Sequence, residues 1–425
     1  MIESTLKSSE AVPDRLWLTQ LNRKERSTLF ATFSGWMLDG MDVMVYSFVL
    51  PSLIIFWHIS KGQAGLLGTS TLLLSSVGGW LAGLAADRFG RVKILQLTIL
   101  WFAFFTFLSG FTNTFGQLFI IRGLQGLGFG GEWAVGSVLI GETIRAKYRG
   151  RAVGTTQAGW AIGWGISALC YTLLFAVLPA HTAWRAMFWI GILPALLAFY
   201  VRSHVTESDI FARNATARLA ASRAEFLQIF SPKLLRATLL ASLVALGAQG
   251  GYYAITTFLP LYLSARGLSV THTGGYLLVI IAGSFCGYLT SAWLADRLGR
   301  RGTLVLFAAL AFITVLLYMV IPIDNTITLL LGFPLGFFSS GSFSPMGAFF
   351  TELFPTHLRG SGQGFSYNLG RGFGALFPTL VGYFSNRMPL GRAIAVFAAI
   401  AYLLMILGVL LLPETCGLEL AEMEE

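Results

Sequence analysis

The chain has 425 residues, 55% of them hydrophobic and 12% charged, with a mean hydropathy of +0.70 and a net charge of +9. Long apolar stretches recur from Phe30 to Leu412, the composition of a protein with many membrane spans. The positive charge does not call for a nucleic acid: twenty-two of the 29 Lys and Arg fall in the N-terminal tail and the even-numbered connections, and five (Lys61, Arg185, Arg266, Arg387 and Arg392) fall opposite. The positive-inside rule accounts for that bias and puts both termini in the cytoplasm.

In chain order, residues 1–27 form a polar tail without the apolar core of a cleavable signal, so the first span doubles as the targeting element. At about 20 residues per crossing, the apolar runs predict twelve helical spans near 28–52, 63–86, 92–112, 116–142, 150–178, 184–203, 236–264, 272–295, 302–321, 326–354, 361–385 and 391–412. A polar linker at 204–235 separates a first bundle of six helices (28–203) from a second (236–412), and residues 413–425 form a C-terminal tail. Cys170, Cys286 and Cys416 are scattered, without the spacing of a metal site or a disulfide framework, and no cofactor is expected.

The chain matches itself at an offset near 209. GLAADRFGR (83–91) answers AWLADRLGR (292–300), and Leu50-Pro51 answers Leu259-Pro260. Glu142, Arg149, Gly150 and Gly154 answer Glu352, Arg359, Gly360 and Gly364 at offset 210. Two parallel repeats of six spans place a substrate site at the midplane, between the halves.

Gly83, Asp87, Arg88, Gly90 and Arg91 resemble the signature loop between spans two and three of the major facilitator superfamily, and the twelve-span layout extends the resemblance over nearly the whole chain. It implies that family's all-α fold of two pseudo-symmetric bundles and its transport by alternating access, not an enzyme. In the family these loops latch the cytoplasmic face, so Gly83, Asp87, Arg88, Gly90, Arg91, Glu142, Arg149, Asp296, Arg297, Arg300, Glu352 and Arg359 are gating candidates; the alternative is that they only fix topology. Asp39-Gly40-Met41-Asp42 is similar to the aromatic-acid branch, GGEWAVGSVLIGE (130–142) to the sialate and metabolite symporters, and Pro413-Glu414-Thr415-Cys416-Gly417 to the sugar porters. In the first half, Val205-Thr206-Glu207-Ser208 answers that last motif without its proline.

A charge at mid-membrane costs roughly 2.5–3.5 kcal/mol on insertion scales, so one that persists points to function. Asp39 and Asp42 lie three apart on one face of span one. By helical rise, Asp42 and Arg122 reach similar depths, roughly 13 Å and 10 Å from the outer surface. They are expected to meet, either as a proton-binding acid read by an arginine or as a permanent ion pair. Arg122, Gln125, Phe129 and Glu132 share a face of span four, and Arg122-Gly123-Leu124-Gln125-Gly126 resembles the span-four motif of proton-coupled members. Glu132 is a second proton site, a gate, or a carboxyl bonded to nearby backbone. The glycines of GLGFGG follow no strand, which favours close helix packing over a dinucleotide loop.

Arg371 in span eleven, near Tyr367 and Asn368, has no acid of the second half at its depth. A guanidinium facing a central cavity suits a carboxylate substrate; pairing with Asp39 or Glu132 is the alternative. Gly370-Arg371-Gly372 with Ala375 and Pro378 is similar to span eleven of aromatic-acid:proton symporters. Gln157, Trp160 and Trp164 on span five and Gln249, Tyr252, Tyr253 and Thr256 on span seven complete a candidate cavity for an organic acid. All five histidines fall in loops or at span ends, which disfavours a histidine relay. The expectation is a monomeric, proton-coupled importer of a small organic anion in a bacterial-type inner membrane. The alternative is a sugar or neutral-metabolite transporter of the same fold, by symport or uniport. An exporter is disfavoured, since GWAIGWGISALC (159–170) lacks the Gly-Pro pair of the family's antiporters.

Overall fold

The computed structural model describes residues 14–207, 227–268, 270–321, 324–355 and 358–416, which are almost entirely helical. The first bundle holds spans one to six: Arg23–Trp57, Lys61–Phe89, Arg91–Ser109, Phe115–Thr143, Ala146–Val177, and a sixth made of Ala180–Trp189 and Pro194–His204. The second holds spans seven to twelve: Leu235–Ala265, Val270–Leu298, Arg300–Val320, Asn325–Gly341 with Phe343–Glu352, Arg359–Gly374 with Leu376–Phe384, and Leu390–Leu411. Among the described residues nine of these are long and apolar enough to cross a membrane on length and composition alone. The other three are spans four, six and eleven, which are glycine-rich or broken.

The breaks have local causes. Pro194 opens a new helix after a single 3-10 turn at Ile190–Ile192. In span ten, Pro345 has no N–H to give the carbonyl of Gly341, and the Ser291 hydroxyl donates to that carbonyl at 2.6 Å instead. In span eleven, Pro378 likewise strips the carbonyl of Gly374 of its donor, and the helix breaks at Ala375. The Ala375 carbonyl there accepts a hydrogen bond from Thr69 of span two. Where a span begins cleanly, a side chain caps it: Asn22, Ser60, Thr114 and Asp324 each accept from the backbone N–H three residues on.

The halves repeat each other in packing as well as in sequence. Spans two and four pack together, as do eight and ten; one packs on five as seven packs on eleven; three packs on six as nine packs on twelve. Glycines let these backbones touch. Cβ atoms added to Gly78, Gly126 or Gly130 would lie 1.7–2.1 Å from carbonyl oxygens of Leu127, Thr71 and Ser75. In the second half, Gly283, Gly287 and Gly336 sit as tightly on Phe333, Phe337 and Ile280. The glycines of GLGFGG are therefore packing residues. Gly90 (φ 104°) and Gly299 (φ 88°), 209 apart, make the turns into spans three and nine in a conformation that favours glycine. Between the halves, span two meets eleven, span five meets eight, and span one meets seven.

Candidate functional site

Span one enters the centre of the molecule because its glycines, and those of span five, admit a close approach. A Cβ on Gly40 would lie 2.6 Å from the Trp160 carbonyl, and one on Gly163 would lie 1.8 Å from that of Met37. This packing turns Asp39 and Asp42 inward, and both are fully buried. The expected direct meeting of Asp42 with Arg122 is replaced by a bridge. The Gln125 amide donates to Asp42 Oδ2, and its oxygen accepts from Arg122 Nη1 at 2.6 Å. The same amide nitrogen lies 2.7 Å from Thr106 Oγ1 of span three. Gln125 interposes because it stands one turn from Arg122 and fits between the two charges, satisfying both. Arg122 also lies 5.0 Å from the ring centre of Tyr46.

Deeper in the bundle, the carboxyls of Asp39 and Glu132 face each other within hydrogen-bonding reach. Neither Asp39 oxygen has a donor, nor has Glu132 Oε2. Gly35, one turn before Asp39, makes the room: its added Cβ would sit 1.8 Å from Glu132 Oε1. Glu132 is thus placed against span one, beside Asp39.

Arg371 is completely buried, at 0% exposure. Its Nε donates to Gln249 Oε1 at 3.2 Å, and the Gln249 amide in turn donates to the Tyr367 carbonyl at 3.0 Å. The guanidinium lies 5.0 Å from the Phe129 ring centre and 5.1 Å from that of Tyr367, while Nη1 has no partner. Among the described residues it makes no salt bridge, although Asp39 is within electrostatic reach.

Aromatic rings join these groups across the two halves. Trp160 donates to the Tyr252 hydroxyl at 2.8 Å, and Trp164 packs edge-on to the same ring. Trp36 contacts both Trp133 and Trp160, and Trp133 contacts Tyr367. Gln157 and Tyr253 are buried in the same layer. Asn368 donates to Gly364 within its own helix and turns its oxygen to Gly79 of span two. Two small cavities, each with room for about one water molecule, flank the charged layer. One, with Tyr46, Thr71, Arg122 and Thr257 in its wall, lies toward the end bearing Lys61; the other, bounded by Thr32, Glu132, Gly136 and Thr156, lies toward the basic end.

At the basic end the repeat builds the same device twice. Arg91 pairs with Glu142 at 3.2 Å, and Arg300 with Asp296 at 2.5 Å and Glu352 at 3.5 Å. Each described pair lies within one half. Arg88 and Arg297 stack on Phe89 and Trp293, and Gly83 borders open space. The side chains of Asp87, Arg149 and Arg359 lie outside the described residues. Sequence reasoning missed the role of Glu207 and Glu414. Glu207 accepts from the backbone N–H of Val92, and Glu414 from those of Arg300 and Arg301, so an acid just past each half's last span caps that half's third span. Burial pushes the Glu414 carboxyl up, but the N–H groups of Cys416, Arg300, Thr415 and Arg301 outweigh it and hold it below the usual glutamate range. The bridging role of Gln125, and Thr106 and Trp36 altogether, were missed as well. Gln125 and Trp36 each stand three residues from a buried charge, a usable signal, whereas nothing in the sequence marks Thr106.

The halves are pressed together at the end bearing Lys61. Cβ atoms on Gly65 and Gly382 would lie 2.4 Å and 2.2 Å from carbonyls of Pro378 and Lys61, across the interface. Toward the basic end the contact slackens, with added Cβ atoms at Gly154 and Gly347 3.4 Å and 3.8 Å from the side chains of Ala292 and Val153.

Comparison with known proteins gives three findings. Residues 32–378 match the family described as Major Facilitator Superfamily. The chain is 42% identical over 409 residues to a probable 4-methylmuconolactone transporter of Cupriavidus pinatubonensis, covering 96% of this chain and 95% of that one. It is 32% identical to the cis,cis-muconate transport protein of Acinetobacter baylyi, covering 91% and 94%. Among solved structures, the proton:xylose symporter XylE bound to 6-bromo-6-deoxy-D-glucose superposes with a TM-score of 0.75 over 94% of this chain and 98% of that one, at 18% identity, a likeness of fold.

Proposed function

Because the chain belongs to the Major Facilitator Superfamily and is a multi-pass membrane transporter, we propose that it takes up a small organic acid together with protons, by alternating access. The membrane is a bacterial-type inner membrane, with the basic end and both termini in the cytoplasm. The observation that carries this reading is Arg371: a fully buried guanidinium between the halves, with a free Nη1 and two aromatic faces beside it. Desolvating such a cation is costly, and a carboxylate with a flat, apolar body offsets the cost with charge-assisted hydrogen bonds and ring contact. The substrates for which those relatives are named, muconate and a muconolactone, are unsaturated organic acids. Gln249 holds the guanidinium's Nε, and Nη1 is left for the substrate.

The coupling proton belongs to the buried acids Asp39, Asp42 and Glu132, which lie in one layer with Arg122 and Arg371. As the halves rock, closure at the Lys61 end gives way to closure at the basic end, and anion and proton cross together. One proton per monoanion makes the cycle electroneutral; a second adds about 2.3 kcal/mol per 100 mV of driving force.

The test is uptake into proteoliposomes under an imposed pH gradient, screening muconolactone, muconate, aromatic, hydroxy and sialic acids. Accumulation of at least one carboxylate is expected. Arg371→Ala should raise KM roughly tenfold or more, the loss of a charge-assisted bond worth about 1.5–3 kcal/mol. Accumulation by Arg371→Ala at the parent's KM would remove the carboxylate site from this position.

A further inference from the structure

We propose that Asp39 and Glu132 act as one titrating unit that holds a single shared proton, and that the charge on Arg371 decides how tightly the unit holds it. The inference rests on the reading of the protein as a proton-coupled transporter and names the group that carries the proton.

Of Asp39, Asp42 and Glu132, only Asp42 has a hydrogen-bond donor among the described residues: Gln125, with Arg122 behind it. That arrangement already gives Asp42 a donor and a counter-charge. Asp39 and Glu132 have nothing comparable. They come from different spans, are both buried, and turn their carboxyls toward each other, yet both Asp39 oxygens and Glu132 Oε2 lack a donor. Two ionised carboxylates in that geometry would repel each other in a medium that screens poorly, and a carboxylate has only acceptors to offer. A proton held by either acid supplies the missing donor and leaves one negative charge on the pair, as in other facing carboxyl dyads. The placement is built rather than incidental, because Glu132 reaches Asp39 only through the space that Gly35 leaves.

The surroundings supply a switch and an exit. The charged and titratable groups around the pair are Asp42 on its own helix, Arg371 on span eleven and Tyr253 on span seven. Arg371 is the cation among them, so its bare charge favours the ionised pair. A substrate carboxylate on Arg371 cancels that charge and tightens the shared proton. By linkage, the proton tightens the substrate by the same factor. Glu132 borders the small cavity toward the basic end, which gives the proton a route out when the halves part there.

The test is infrared difference spectroscopy of the purified protein across a pH titration, without substrate. The parent should show a protonated-carboxyl band that shifts in heavy water, and Asp39→Asn and Glu132→Gln should each remove it entirely. In Asp42→Asn the band should persist. Arg371→Gln should move its midpoint upward by about one pH unit or more, the effect of removing a nearby opposite charge. Two separable bands, each lost in one variant only, would overturn the shared proton, as would a band that sodium ions displace at constant pH. An unmoved midpoint in Arg371→Gln would overturn the switch. The isotope shift is read on the parent, so a variant that fails to fold does not remove the test. No transport is measured, so failure of the pair stays distinct from failure of the uptake reading, which the proteoliposome screen addresses.

Discussion

At the scale of single residues, the molecule's central economy is that each buried charge is satisfied differently. Asp42 and Arg122 share Gln125, Asp39 and Glu132 face each other, and Arg371 keeps one nitrogen free. The bridge makes a specific prediction. Gln125→Leu keeps the volume but strands Asp42 Oδ2 and Arg122 Nη1 in a dry interior, where each unsatisfied polar group costs about 1–3 kcal/mol or more. Thermal unfolding in detergent should drop by several degrees, and proton-driven uptake should fall with it. Parent-like values for both would mean that the bridge is idle. That charges lay on the inner faces of spans one, four and eleven was legible from their cost in hydrocarbon. Their partners were not, because partner choice depends on packing: helical spacing puts Gln125 on the face of Arg122 but cannot say that it stands between Arg122 and Asp42.

At the scale of helices, proline and glycine explain most of what departs from twelve uniform spans. Periodicity locates the spans, but the breaks in ten and eleven draw on neighbours that donate to carbonyls at the break, as Ser291 does to Gly341 and Thr69 to Ala375, and such long-range partners leave no mark in local sequence. The acidic caps are a second element-level device. The folded-state pKa of Glu414 is depressed, so its contribution to stability is complete above the usual glutamate range and is lost as pH falls through the folded value. Glu414→Gln, which gives up a cap worth about 1 kcal/mol, should therefore unfold at a lower temperature than the parent at neutral pH. The two melting curves should converge on acidification. A gap between them that is constant with pH would show that the carboxylate's charge plays no part.

For the whole molecule, the repeat was the most legible feature, since a register kept over half the chain gives two bundles and a site between them. What it could not give is the state of closure. The glycine contacts between spans two and eleven are tight at the Lys61 end, and those of span five with eight and ten are looser toward the basic end. That asymmetry breaks the pseudo-symmetry the sequence implies: the halves press together more closely at the Lys61 end than at the basic end. Coupled transport requires that proton and anion cross together. Proteoliposomes holding the purified chain and an internal pH dye should acidify inside as a screened carboxylate enters, at a fixed ratio of protons to anions, and Asp39→Asn should abolish accumulation against a gradient. Substrate entry at the parent's rate with no movement of protons, in the parent itself, would contradict the claim that these buried acids couple the two.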